Sequence, residues 1–285
     1  MASLRELRKH LYSVEMTGQM AGAMKTAAAV KFSRICAVME TFSVYAAAAS
    51  RLRDRFGDEL GTVYTAADPD APPCYVILGA NRGLCGGYNI ELYEYADRIL
   101  AEAGDCRLIV TGRHATAHFR DRGTEPDAVF TLPDSPAPSD AEPVLDAALT
   151  LFREGGASSV ILIWQRFVNT LNQVPSSFVL LPAVPDPENR GAGKTDPGKL
   201  PPLYLPDRTT VLRAAAEACV RTEFISRVLE AGAGHQAATL TTMRSACDNA
   251  EETAAALMAD ISHKRQSEVT SSVIETSGGN ARREE

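Results

Sequence analysis

The stretch LRELRKHLYSVEMTGQMAGAMKTAAAVKF, Leu4 to Phe32, contains no proline, and its glycines, Gly18 and Gly22, stand one helical turn apart. Nothing in it forces a helix to break. Apolar or small residues recur at Leu4, Leu7, Leu11, Val14, Gly18, Ala21, Met24 and Ala28, and the steps of three and four continue through Phe32, Ile35, Met39, Phe42, Ala46, Ala49, Leu52 and Phe56. That spacing draws one stripe along one helix face. Ser3 followed by Glu6 is the pattern of a capping box, so the helix is predicted to start there. Uninterrupted to residue 57, it would be about 80 Å long at 1.5 Å per residue.

The other end of the chain repeats the pattern. After Pro206 there is no further proline, and Leu240, Met243, Cys247, Ala250, Ala254, Leu257, Ile261 and Lys264 again step by three and four. Gly232 and Gly234 are expected to bend or loosen this second helix. Each stripe would be exposed unless the two helices paired, and an antiparallel or splayed coiled coil is the economical solution. Small residues at 21–29 and after Cys247 let the backbones approach closely, which makes the coil slender. With Lys264 on its seam, the far end should be frayed or sheathed by another protein. Met16, Met20, Met24 and Met39 read as coil core or adaptable contact surface.

Between the helices the composition changes. Apolar β-rich runs at 74–78, 106–111, 128–132, 158–164 and 177–181 alternate with helical stretches at about 89–103, 113–122 and 140–154, the order of a mostly parallel, Rossmann-like sheet flanked by helices. The last two runs are joined by too few residues for a helical crossover, so the final strand should be an antiparallel edge. Proline-rich links at 133–143 and 182–206 read as surface loops, the second long and mobile. The expected fold is therefore α/β, a small sheet domain over 58–206 inserted between coiled-coil helices over 1–57 and 207–285.

Charge is unevenly spread along the chain. The total is −7, which argues against general nucleic-acid binding. Residues 1–57 hold nine basic and four acidic side chains, residues 58–206 hold 11 and 20, and the remainder 9 and 12. The N-terminal helix is the basic segment and suits an acidic partner. The six cysteines show no C-x-x-C pair and no histidine at ligand spacing, as expected of reduced cytosolic thiols with no metal site. No run of eighteen apolar residues occurs, and the first residues are charged, so neither a membrane span nor a secretory signal is expected.

The loop GANRGLCGGYN, Gly79 to Asn89, lies between a strand and a helix, where backbone N–H groups often cradle a phosphate. Its glycines, at 79, 83, 86 and 87, fit neither G-x-x-x-x-G-K-[ST] nor G-x-G-x-x-G. Turn geometry and close packing explain such a loop without a ligand. Cys85, beside a helix N-terminus, is either an activated thiol or, more in keeping with an apolar setting, an inert one. His114 and His118 stand four apart but lack a third ligand, and no G-x-S-x-G elbow exists. No cofactor is called for. A small-molecule or nucleotide enzyme built on the central domain and a free-standing coiled-coil scaffold stay as alternatives.

A slender coil built from both termini, an inserted α/β domain and no catalytic set together resemble the gamma subunit of the F-type ATP synthases. The residues that carry the likeness are the N-terminal stretch quoted above, NRGLCGGYN at 81–89, FVNTLNQVP at 167–175, MRSACDN at 243–249 and KRQSEVT at 264–270. The resemblance implies a central rotor stalk, peripheral on the cytoplasmic face of a bacterial membrane. Its coil would lie within three alpha and three beta subunits, and its α/β domain would sit with epsilon on the c-ring. Catalysis would belong to beta, while this chain couples proton-driven rotation to ATP synthesis. The resemblance further implies that Met24 and Lys31 face an acidic beta loop, and that Arg265, Gln266 and Thr270 grip a catch loop on beta. Arg82, Gly83, Cys85, Gly86 and Gly87 would form a structural glycine loop, with Arg82 turned toward a neighbouring subunit or toward the chain's own coil. Lys25, Asn81 and the pair His263-Lys264 depart from the family pattern.

Overall fold

The computed structural model describes residues 3–56, 60, 64, 68–182 and 204–281. Most of the 182–206 link and the last four residues of the tail lie outside that set. Helix α1 spans Leu4–Phe56, and Ser3 and Glu6 cap it reciprocally: the Ser3 N–H donates to Glu6 Oε2 at 2.6 Å and the Glu6 N–H to Ser3 Oγ at 3.2 Å. Every stripe position from Leu4 to Phe56 is buried or half-buried.

After α1 come β1 (Cys74–Leu78), α2 (Tyr88–Ala103), β2 (Arg107–Thr111), α3 (Arg113–Asp121), β3 (Ala128–Phe130), α4 (Pro138–Arg153), β4 (Val160–Phe167), β5 (Gln173–Leu181) and α5 (Arg208–Ala281). The five strands form one sheet in the order β3-β2-β1-β4-β5, parallel except for the β4–β5 hairpin at one edge. This is the mostly parallel sheet with an antiparallel edge that the strand and helix order predicts. The hairpin strands reach further toward each other than the apolar runs suggest, because pairing from Phe167↔Gln173 onward sustains polar positions.

The chain forms two compact units. One holds residues 1–27 and 240–285, the other residues 28–239. In the first, α1 and α5 run antiparallel, since Gly18 lies against Ala250 and Gly22 against Cys247. A Cβ on Gly18 would stand 3.1 Å from that of Ala250. Small residues thus set a close seam, on which Ala21, Met243 and Cys247 are buried with Met24 and Ala246 against them. Lys264 is half-buried on this stripe, and its charge is felt by Glu6 across the seam.

In the second unit the sheet has helices on both faces. Alternate residues of β1 divide between them: Tyr75 and Ile77 pack on α2 and α3 with Leu92, Tyr93 and Phe119, while Val76 and Leu78 face α4 and the helices α1 and α5. On that second face Phe152 and Phe224 are almost fully buried. Helix α5 runs unbroken through Gly232 and Gly234. Their bare Cα positions admit neighbours: a Cβ on Gly232 would lie 2.9 Å from the Pro136 ring, and one on Gly234 3.3 Å from Tyr88.

Candidate functional site

The candidate contacts of the paired-helix unit lie on its surface. Arg265, Gln266 and Thr270 are exposed, and the Thr270 hydroxyl donates to the Gln266 carbonyl at 2.9 Å within its own helix. Met24 is half-buried because it also packs against the seam. Around them the outer faces expose large apolar side chains, among them Tyr12, Met20, Val269, Val273 and Ile274.

The glycine loop in the other unit is a packed turn. A Cβ on Gly79 would meet that of Ala115 at 2.4 Å and the Thr111 carbonyl at 2.9 Å, so only glycine fits where β1 enters the loop. The left-handed positions are Leu84, at φ 62°, and Gly86, at φ 59°. Gly83 is not one of them, and a side chain there would have ordinary room. Cys85 is buried, and desolvation pushes its thiol pKa up, the direction of an inert thiol.

What converges in this loop is a carbonyl. The Arg82 oxygen accepts from Asn89 Nδ2 at 3.1 Å and from His235 Nε2 of α5 at 3.4 Å. An inward-facing acceptor is the wrong polarity for a phosphate cradle, which needs N–H groups. The Arg82 guanidinium is mostly exposed and reaches Asp134 Oδ2 only at 3.7 Å, a weak pair. It therefore turns toward the chain's own β3–α4 link. Lys31 is held more firmly, its Nζ donating to the same Asp134 oxygen at 2.6 Å. Burial pushes the Asp134 carboxyl up, but the Lys31 hydrogen bond and charge, with Arg82, outweigh it and hold its pKa below the usual range.

His235 and Gln236 complete the arrangement. Gln236 Nε2 donates to the Asp134 carbonyl at 3.1 Å and lies 3.1 Å from His235 Nδ1, so that nitrogen is the acceptor and the imidazole proton sits on Nε2, toward Arg82. Desolvation lowers the His235 pKa, outweighing the Arg82 carbonyl and Asp134, which raise it. The ring is therefore neutral near pH 7. The Tyr88 hydroxyl donates to the Ala231 carbonyl at 2.8 Å, and the Tyr88 and His235 rings meet edge-on at 5.5 Å. Beside them lies a cavity of about 40 Å³, lined by Gly79, Asn81, Tyr88, Asp134 and His235 among others. It is water-sized, whereas small-molecule sites run to roughly 300 Å³ and above.

The family described as ATP synthase matches residues 3–281 of this chain. The ATP synthase gamma chain of Rubrobacter xylanophilus is 30% identical over 286 residues, covering 98% of both chains. The chain belongs to the ATP synthase gamma family. The gamma chain of Moorella thermoacetica is 29% identical over 98% of each chain. The fold also matches solved chains: one in the Euglena gracilis mitochondrial ATP synthase OSCP/F1/c-ring structure, with a TM-score of 0.64, 15% identity and 96% and 92% coverage of the two chains, and one in the Tetrahymena thermophila central stalk/c-ring structure, with a TM-score of 0.60, 17% identity and 80% and 99% coverage.

The remaining candidates have local explanations. His118 Nε2 lies 3.1 Å from Asp97 Oδ2, its ring stacks on Tyr93 at 4.6 Å, and His114 stacks on the same tyrosine at 6.1 Å. Among the described residues no group of His, Cys, Asp and Glu could hold a metal, and no helix is long and apolar enough to cross a membrane. The sequence reading did not single out Asp134, Glu230, His235 or Gln236. The available signal was EAGAGHQAA at 230–238, where polar residues interrupt a run of alanine and glycine.

Proposed function

We propose that this chain is the central stalk of an F-type ATP synthase, non-catalytic itself, coupling rotation of a proton-driven c-ring to ATP synthesis on beta. Family membership over nearly the whole length of both chains carries the reading, and the antiparallel pairing of the terminal helices supports it. In this reading three alpha and three beta subunits surround the paired helices, epsilon and the c-ring hold the α/β part, and the complex sits on the cytoplasmic face of a bacterial membrane. The functional segments are then 1–57, 58–206 and 207–285.

Arg265, Gln266 and Thr270 are the proposed grip on the beta catch loop, and their exposure on the last helix favours it. A planar guanidinium beside an amide suits a polar contact that forms and releases. Met24 and Lys31 are the proposed contacts to an acidic beta loop. Lys31 has three donors, of which Asp134 uses one, so an outside carboxylate would share it. Co-expression with the alpha and beta subunits of the same organism tests the assignment: a stoichiometric complex whose ATPase requires this chain is expected, and its absence sinks the stalk reading. In that complex, Arg265→Ala with Gln266→Ala should slow ATP turnover while the isolated chain keeps its helicity. Unaltered turnover removes the catch assignment alone.

A further inference from the structure

Between Ala231 and Thr239, helix α5 is enclosed. Ala231, Ala233, His235, Gln236, Ala237, Ala238 and Thr239 are all buried. Most helices bury one stripe and expose the opposite face. This segment instead passes through a collar made by the glycine loop, the β3–α4 link, the β4–β5 hairpin and α1, with Gly232 and Gly234 admitting Pro136, Ile35, Tyr88 and Gln173. Turning the helix about its own axis would carry alanine Cβ atoms toward Pro136 and Tyr88, so the two glycine notches already oppose it sterically.

Directional contacts resist that turning. Glu230, at the mouth of the segment, accepts from the Phe167 N–H at 3.0 Å and from Trp164 Nε1 at 3.0 Å, with Arg227 at 3.3 Å and its guanidinium over the Trp164 ring at 5.0 Å. His235 donates to the Arg82 carbonyl and Gln236 to that of Asp134. At 100° per residue, His235 points about 140° and Gln236 about 240° around the axis from Glu230. Three polar contacts therefore grip the helix from three sides, each to a different element of the collar.

We propose that Glu230, His235 and Gln236 are positioning residues that fix the angular register of α5 in the α/β part, so that torque turns the helix instead of being lost to slip. This rests on the stalk reading above. The test uses the complete ATP synthase in sealed vesicles, measuring ATP hydrolysis and ATP-driven proton uptake together. Glu230→Met with Gln236→Met removes two of the three contacts while keeping the bulk. Hydrolysis should persist, while protons moved per ATP should fall, most under an opposing proton gradient. Gln236→Leu alone should show a smaller loss of the same kind, and serves where the double variant does not assemble.

The decisive variant carries Asp134→Cys with Gln236→Cys. Reduced, it lacks only the Gln236 contact and should slip like Gln236→Leu; oxidised, with the cross-link verified by mass, it should recover coupling, a rescue that a merely structural role does not produce. Wild-type coupling in every variant overturns the collar, and so does a cross-link that changes nothing. Failure of the wild-type chain itself to couple hydrolysis to pumping overturns the stalk reading instead, and the collar with it.

Discussion

The same two helices are treated differently in the two units. In residues 1–27 and 240–281 they meet along one narrow seam of Gly18, Ala21, Gly22, Met243 and Cys247, and their outer faces expose Tyr12, Met20, Val273 and Ile274. In residues 231–239, α5 has almost no outer face at all. A face left open is free for a partner to read, whereas an enclosed segment is committed to its own chain. Opposite uses of similar small residues follow: close approach on one side only, or close approach all round.

Substitutions break this comparison in a graded way. The largest effect is expected in the enclosed unit, where Phe224→Ala empties a fully buried site and should cost about 3–5 kcal/mol in urea unfolding of the isolated chain. Gly18→Leu drives a side chain into the seam where the Ala250 Cβ already stands 3.1 Å from an added Cβ. A loss of about 1–3 kcal/mol is expected, read as a lower melting midpoint.

A smaller effect is set by pH through His235. Folding lowers its pKa, so the unfolded chain binds the proton more readily than the native one. Its contribution is therefore complete above the unfolded value near 6.5 and lost as pH falls below it, and His235→Phe should flatten that limb of the stability profile. Asp134, also lowered, acts only below its own unfolded value of 3.8, which separates the two. Least of all, Val273→Ser on the exposed face should change isolated-chain stability by no more than about 0.5 kcal/mol. A larger change would mean that this face already has a partner within the chain.

The helices were readable from residue spacing because burial follows a 3.6-residue period wherever a helix packs on one side, and each stripe position is at least half-buried. The collar was not, since periodicity carries no signal where every side is covered, and Gly232 and Gly234 looked like weak points in the helix. Strand limits also slipped. Gln165 reads as polar and therefore outside a strand, yet it is fully buried, its amide donating to the Tyr88 carbonyl at 2.9 Å. Likewise one of the two left-handed residues of the glycine loop is Leu84, a non-glycine that composition does not reveal. The contacts assigned to Arg265 and Gln266 rest on family likeness, because an exposed pair on a helix has no environment of its own to identify it.

Cys247 gives the seam a clock of its own. Its sulfur lies 3.8 Å from the Gly18 carbonyl, and the residue is only 7% exposed, so a bulky thiol reagent cannot reach it while the helices are paired. Cys36 and Cys106, more accessible, should be labelled first. Where the reagent reacts faster than the helices close again, the slower labelling of Cys247 reports their rate of separation, in the isolated chain and within any assembly that closes around it.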